Sequence, residues 1–380
     1  MASLYSLVRK ATNSSRYIKQ GRVGPIQERF SIVKFNILRS AARRKLFVCV
    51  ASITVFCLSV STAALAQRNR TTTTTPKASA LLSSLPPSDA VAIVNVNRVI
   101  DEALPKLLAE NPAKLAEVTA ELATFKTQTG LDPRSFEQVA LGMSYNYPRE
   151  GVTKVSTVAL AHGTFNAAAM VAAGRLAANG KYSEQKYQGK TIYIFSLERQ
   201  VRLFGLWDIK VADLAVATLD GQTLALGDLN GVRGVIDANR LRKYANPELV
   251  ALASRDPNAI LGFGGNISPA LMKNLNISND TIARELTAVR QVYGTLGMNS
   301  TDLELMVAAR TVDVDSAKNL GVTVEGLKML GAIFVNRLSA AKGTLARSAL
   351  DNLKITTQGN ELQLRTAVSQ AQVAPLMKGN

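Results

Sequence analysis

The chain has 380 residues, 45 Lys and Arg against 28 Asp and Glu, a net charge of +17, two cysteines and one histidine. That supply excludes a disulfide-stapled fold and leaves a structural zinc site without its usual Cys and His ligands. A Ser-His-Asp triad would have to use the single histidine, His162.

Residues 1–45 carry eleven Lys and Arg and one acid, Glu28. They read as a basic N-terminal region, disordered or added by an over-extended start. The cluster Arg43-Arg44-Lys45 is followed by the uncharged run 46–66, which ends in Ala64-Leu65-Ala66. Basic, then apolar, then small residues is the build of an export signal, with cleavage expected between Ala66 and Gln67 and Ala64 and Ala66 as the small residues at the cut. With its tail the run is also long enough for a retained anchor, whose cationic flank would stay inside. Either outcome sends the rest of the chain out of the cytoplasm, to the periplasm or beyond. Both cysteines, Cys49 and Cys57, lie inside this run.

From Gln67 onward 34 basic and 27 acidic residues remain, so most of the excess charge belongs to the leader. A mature charge of this size does not call for a nucleic-acid partner. Residues 67–84 contain Thr71–Thr75 and read as a linker. Beyond it, Ala90–Val96 is a short apolar strand and Val99–Leu108 a helical stretch. Asn111 and Pro112 suit the start of a helix carrying Leu115, Val118, Leu122 and Phe125 at spacings of three and four. Strands are expected at Gln138–Tyr145, Lys154–Ala161, Thr191–Leu197 and Asp213–Leu219, with helices at Asn166–Ala178, Asn230–Tyr244 and after Pro247. Asp220-Gly221 between alternating apolar runs marks a hairpin, and Gln358-Gly359-Asn360 marks a second.

A gap-free shift of 167 sets 92–142 on 259–309, with identities that include Ala92/Ala259, Ile93/Ile260, Leu104/Leu271 and Gly130/Gly297. A shift of 138 sets Ala217–Leu226 on Ile355–Leu364. The reading is two copies of one unit, 85–255 and a shortened 256–380. Each is an α+β module of antiparallel sheet with helices packed on one side. A carrier reading places an apolar ligand in a cleft between the modules.

Chemistry is thinly marked. His162 reads as a turn or packing residue. Gly262-Phe263-Gly264-Gly265 lacks the spacing of a dinucleotide fingerprint and reads as close packing or a bulge. Asp313-Val314-Asp315 reads as a solvated loop. No catalytic, metal or cofactor residues are assigned, and no cofactor is expected. Phe204, Leu206 and Trp207 form an aromatic-apolar segment without a counterpart in the second copy, and read either as a plug of the core between strands or as a contact with a protein or envelope partner. An envelope hydrolase is the least favoured function, because no nucleophile and base are paired in the sequence.

Leu85-Pro86-Pro87-Ser88-Asp89 before an apolar strand, and Leu224–Leu252 with its Gly227-Asp228-Leu229 turn and Asn246-Pro247-Glu248-Leu249, resemble a family of exported bacterial proteins of unknown function built from duplicated α+β modules. The resemblance spans most of 81–380, rests on turns and caps, and implies no catalytic residues. The duplication, which gives two similar surfaces, points to a non-enzymatic adaptor or scaffold of the cell envelope or periplasm.

Overall fold

The computed structural model describes residues 76–129, 132–149, 152–178, 180–196, 200–203, 207–210, 213–274, 280–335, 337–338 and 340–373. The basic region, the apolar run and the expected cleavage residues Ala64, Ala66 and Gln67 lie outside them.

The first half contains α1 (Pro76–Ser83), β1 (Ala90–Asn95), a π-helical turn at Arg98–Ala103 leading into α2 (Leu104–Leu107), α3 (Pro112–Thr129), β2 (Phe136–Arg149), β3 (Val152–Gly163) and α4 (Ala167–Ala178). It continues through β4 (Tyr182–Tyr187), β5 (Lys190–Ser196), β6 (Gln200–Leu203), β7 (Trp207–Lys210), β8 (Asp213–Asp220), β9 (Thr223–Gly227), α5 (Leu229–Leu241) and α6 (Pro247–Ala253). The second half contains β10 (Leu261–Asn266), α7 (Pro269–Asn274), α8 (Asp280–Thr287), β11 (Val289–Met298), β12 (Asp302–Thr311), α9 (Val314–Val335), α10 (Ala340–Asp351), β13 (Lys354–Gln358), β14 (Glu361–Ser369) and α11 (Gln370–Val373).

Local chemistry sets many of these boundaries. Asn111 accepts a hydrogen bond from Lys114 N ahead of α3, and Asn166 accepts one from Ala169 N ahead of α4. Asp228 caps α5 through Gly231 N and also accepts from Ser156 Oγ and Thr157 N, so one carboxylate ties the helix start to β3. The β8–β9 hairpin forms with its turn at Gly221-Gln222, one residue later than Asp220-Gly221 implies, because the register shifts between Thr218 and Asp220.

Twelve strands form one antiparallel sheet in the order β13-β14-β12-β11-β10-β1-β2-β3-β9-β8-β5-β4. The fold is therefore α+β. The sheet is continuous between the two halves of the chain: β1 pairs with β10, from Ala90 opposite Gly265 to Val94 opposite Leu261. The cleft that the carrier reading requires is replaced at this seam by a hydrogen-bonded strand pair. Outward from the seam each half runs in the same order, β1-β2-β3-β9-β8 and β10-β11-β12-β14-β13.

Sheet register corrects the gap-free shift of 167. Counted outward from the seam, Phe136 opens β2 as Val289 opens β11, and Thr223 opens β9 as Glu361 opens β14. The offset shrinks along the chain, because the connections are shorter in the second half. A fixed shift lays the helix α3 on the strand β11. Apolar residues spaced three or four apart on a helix coincide by chance with those of a strand, as at Leu122/Val289, so apolar-on-apolar matching could not detect the slip.

Side chains alternate across the sheet, and the two faces carry different helices. Ala215 and Ala217 face Val232, Val235 and Ile236 of α5, in a core that continues through Val91, Ile93 and Leu160 to Leu249 and Leu252 of α6. Val216 points the other way, to Met170 and Val171 of α4. In the second half Tyr293 and Ala308 lie on the α6 face, whereas Val292 and Ala309 lie with Leu320 of α9. Helix packing on one side thus describes the α5–α6 layer, and toward each end of the sheet α4, α9 and α10 occupy the opposite face.

The seam depends on glycine. A Cβ at Gly262 would fall 2.0 Å from the Ala253 carbonyl oxygen, and one at Gly264 would fall 3.1 Å from Leu252 Cβ. Gly262 and Gly264 therefore serve close packing of α6 onto β10, and Gly265 the approach of Ala90. Gly262→Ala is expected to lower unfolding free energy by about 1–3 kcal/mol through overpacking, read as a lower urea midpoint at unchanged slope.

Candidate functional site

After β9 the first half supplies α5, which covers the outer strands on the α6 face. After β14 the described chain has only the four-residue α11. Among the described residues no helix lies over the equivalent outer strands of the second half on this face, and the side chains there are polar: Gln291, Arg310, Gln358, Glu361, Gln363 and Arg365. An open depression of about 510 Å³ lies here, lined by Glu248, Arg290, Gln291, Arg310, Thr311, Gln358, Asn360 and Glu361.

Its floor is organised around Tyr293, whose side chain is fully buried at the edge of the core. The guanidinium carbons of Arg255 and Arg310 each sit 5.4 Å from the Tyr293 ring centroid. Arg255 Nη1 donates to the Tyr293 hydroxyl at 2.6 Å. Arg310 Nε donates to Glu361 Oε2 at 3.1 Å, while its Nη1 reaches Glu248 Oε1 at 2.9 Å and Gln291 Oε1 at 3.2 Å. Gln363 Nε2 completes the shell of Glu361 at 2.7 Å.

Burial raises the Tyr293 phenol above its ordinary pKa, and its hydrogen bond to Glu361 adds to the rise. Burial alone would also raise Glu361. Hydrogen bonds from Gln363, Tyr293 and Arg310, with the Arg310 charge, outweigh it and hold the carboxyl below its ordinary value. The two carboxylates of the depression share one arginine. Glycoside hydrolysis needs one acid held protonated, and Glu361 is tuned the opposite way. The cluster suits a charge-compensated binding surface.

The residues singled out in the sequence lie elsewhere. Phe204 and Leu206 are outside the described residues. Trp207 opens β7, which pairs with β6 in a two-stranded ribbon separate from the main sheet. His162 sits in β3, half-buried, with Nδ1 3.2 Å from Thr223 Oγ1 across the β3–β9 pair. Asp313 precedes α9, accepts from Ser316 N and is lowered in pKa by its hydrogen bonds to Ser316, so it caps a helix, and the segment read as a solvated loop is the start of α9 with Asp315 in its first turn. Among the described residues no group of three His, Cys, Asp or Glu side chains is placed to hold a metal. Sequence reasoning missed the Tyr293 cluster, whose members come from α6, the segment after it, and three strands. The one available signal was a shortened second copy, which implies an uncovered face.

No family model matches the chain, and no curated protein matches it significantly, so the resemblance to exported bacterial proteins with duplicated modules finds no family behind it. Among solved structures, crystal form IV of TP0453 overlays with a TM-score of 0.40 at 10% identity, covering 78% of this chain and 96% of that one. Crystal form I of TP0453 overlays at 0.39 and 9% identity, covering 78% and 95%. Overlaps of this size carry no argument about function.

Tyr293→Phe leaves Arg255 and Glu361 without the hydroxyl between them and is expected to cost about 1–3 kcal/mol. Because folding lowers the Glu361 pKa, its contribution is present above the unfolded carboxylate value of about 4.3 and is lost as pH falls through the lower folded value. In urea titrations, the stability difference between wild type and Glu361→Gln should therefore shrink below pH about 4.3. A difference that holds constant into acid would contradict this assignment.

Proposed function

We propose that the protein is a non-enzymatic interaction protein of the cell envelope, exported by the segment ending at Ala66 and working through surfaces that its shortened second half leaves open. The observation that carries this reading is the uncovered polar face from Gln291 to Arg365. In the first half the matching face is closed by α5. Here the sequence supplies Gln, Arg, Glu and Thr at the outward positions of β12, β13 and β14. Convergent polar groups on a rigid sheet give a partner fixed donors and acceptors without the entropy cost of ordering a loop. The carboxylates in the depression are both engaged by Arg310, which supports binding over acid-base catalysis.

Two measurements test the reading. Mass spectrometry of the native N-terminus should find Gln67 as the first residue, or an intact anchor in the membrane fraction. An intact leader in the soluble cytoplasmic fraction would contradict export. A photo-crosslinker replacing exposed-face residue Gln363 should give a discrete adduct in the native host, and the same group at Lys186 on the far edge strand should not. Equal, diffuse labelling at both positions would remove the interaction surface.

A further inference from the structure

Five strongly exposed large apolar side chains lie together on one helix. The outer side of α9 presents Val322 at 73% exposure, Met329 at 69%, Ile333 at 61%, Phe334 at 54% and Leu330 at 53%, and Leu338 in the turn to α10 adds 42%. Spacings of three, four and seven put these residues on one stripe. The opposite side of α9 is occupied: Leu320 packs with Val289 and Leu362, and Val335 with Ala346, Leu350 and Leu353. The stripe is therefore held rigidly outward, and isolated surface leucines do not account for a continuous patch of this kind.

Its charge setting is net positive. Over the stripe and α10, from Val322 to Asp351, the chain has four cations, Lys328, Arg337, Lys342 and Arg347, against two acids, Glu325 and Asp351, both at the margins. Lys328 donates to the Leu353 carbonyl, whereas Arg337 stacks on Phe334 and Lys342 is exposed.

We propose that the α9–α10 tip docks on an anionic phospholipid bilayer, with the stripe in the acyl boundary and Arg337 and Lys342 at the headgroups. This rests on the envelope reading above and names the envelope component. A second copy of the chain is the poorer occupant, because a two-fold contact would bring the net-positive end of the tip, with Arg337 and Lys342, onto itself. A membrane surface matches both the apolar depth and the sign of the rim. Among the described residues no helix is long and apolar enough to cross a membrane, so the mode is interfacial. The uncharged run 46–66 supplies the proximity. If it is retained, the nine residues between Ala66 and Pro76 reach at most about 30 Å, which keeps the folded body at the bilayer.

The test must read the tip itself, since an anchor would bind vesicles unaided. Full-length protein carrying Trp207→Phe and Leu330→Trp reports only from α9. With vesicles of phosphatidylglycerol and phosphatidylcholine in equal amounts, its emission should shift to the blue and be quenched by brominated acyl chains. The lipid concentration giving half the shift should rise at least roughly tenfold in phosphatidylcholine alone, since two cations near the surface are lost as anchors, and rise again in about 0.5 M NaCl. Adding Met329→Glu and Phe334→Glu should abolish the response. If Trp207→Phe impairs folding, a nitroxide at Ile333→Cys in a Cys49→Ser, Cys57→Ser chain gives the same reading. Vesicles that carry the protein while residue 330 stays in water would overturn the proposal. So would an equal response in neutral lipid, or a shift that grows with protein concentration without lipid. Failure of export in cells leaves this readout unchanged, so the two failures are distinguishable.

Discussion

The pairing of β1 with β10 is the constraint from which the rest of the architecture follows. Five residues of each strand face one another, and the pair converts two antiparallel layers into one sheet with no free inner edge. An unpaired strand edge exposes a row of donors and acceptors that invites association with other chains. Here both inner edges are consumed by each other. Helix α6 then lies on the seam, and only glycine at positions 262 and 264 lets its backbone come that close. The largest apolar cluster, from Leu81 to Ala308, runs under this contact and belongs to neither half alone.

That arrangement determines where function can reside. The seam is filled by backbone pairing and by α6, so the outer surfaces are what the fold offers to a partner. They differ because, among the described residues, α5 covers the outer strands of the first half and no helix takes that place in the second. One surface is the polar depression around Arg310 and Glu361, where each charge is already compensated. The other is the apolar outer side of α9, bordered by cations. Both flank the second half, and both are held by β14, whose Glu361 belongs to the depression and whose Leu362 packs against α9. A bound partner on one side would meet a rigid sheet, not a loop, on the way to the other.

Much of the fold was legible in the sequence because its signals are local. Asn111, Asn166, Asp228 and Asn246 mark helix starts through their own side chains, and hairpins declare themselves by turn residues between alternating runs. The glycines of β10 pointed correctly to close packing. Three things were not legible. The correspondence between the halves changes offset at every shortened connection, and a fixed shift cannot follow it. Strand β4, with the sequence Tyr-Ser-Glu-Gln-Lys-Tyr, has too few apolar residues to announce an edge strand. The Tyr293 cluster draws on residues from Glu248 to Gln363, so its geometry exists only after the sheet has formed. Helix α9 shows a related limit: both its sides are apolar, and composition cannot say which one the sheet takes.

The β1–β10 seam makes the two halves one cooperative body. Native-state hydrogen exchange in increasing sub-denaturing urea tests it most directly, following backbone amides of β1 and β10 together with those of β8 and β12. If the seam is the structural centre, amides of Val91, Ile93, Gly262 and Gly264 exchange only through global unfolding, with the same free energy and urea dependence as the slowest amides of either half. Exchange of the seam amides at lower free energy, while β8 and β12 remain protected, would mean that the halves separate before they unfold, and would contradict the account.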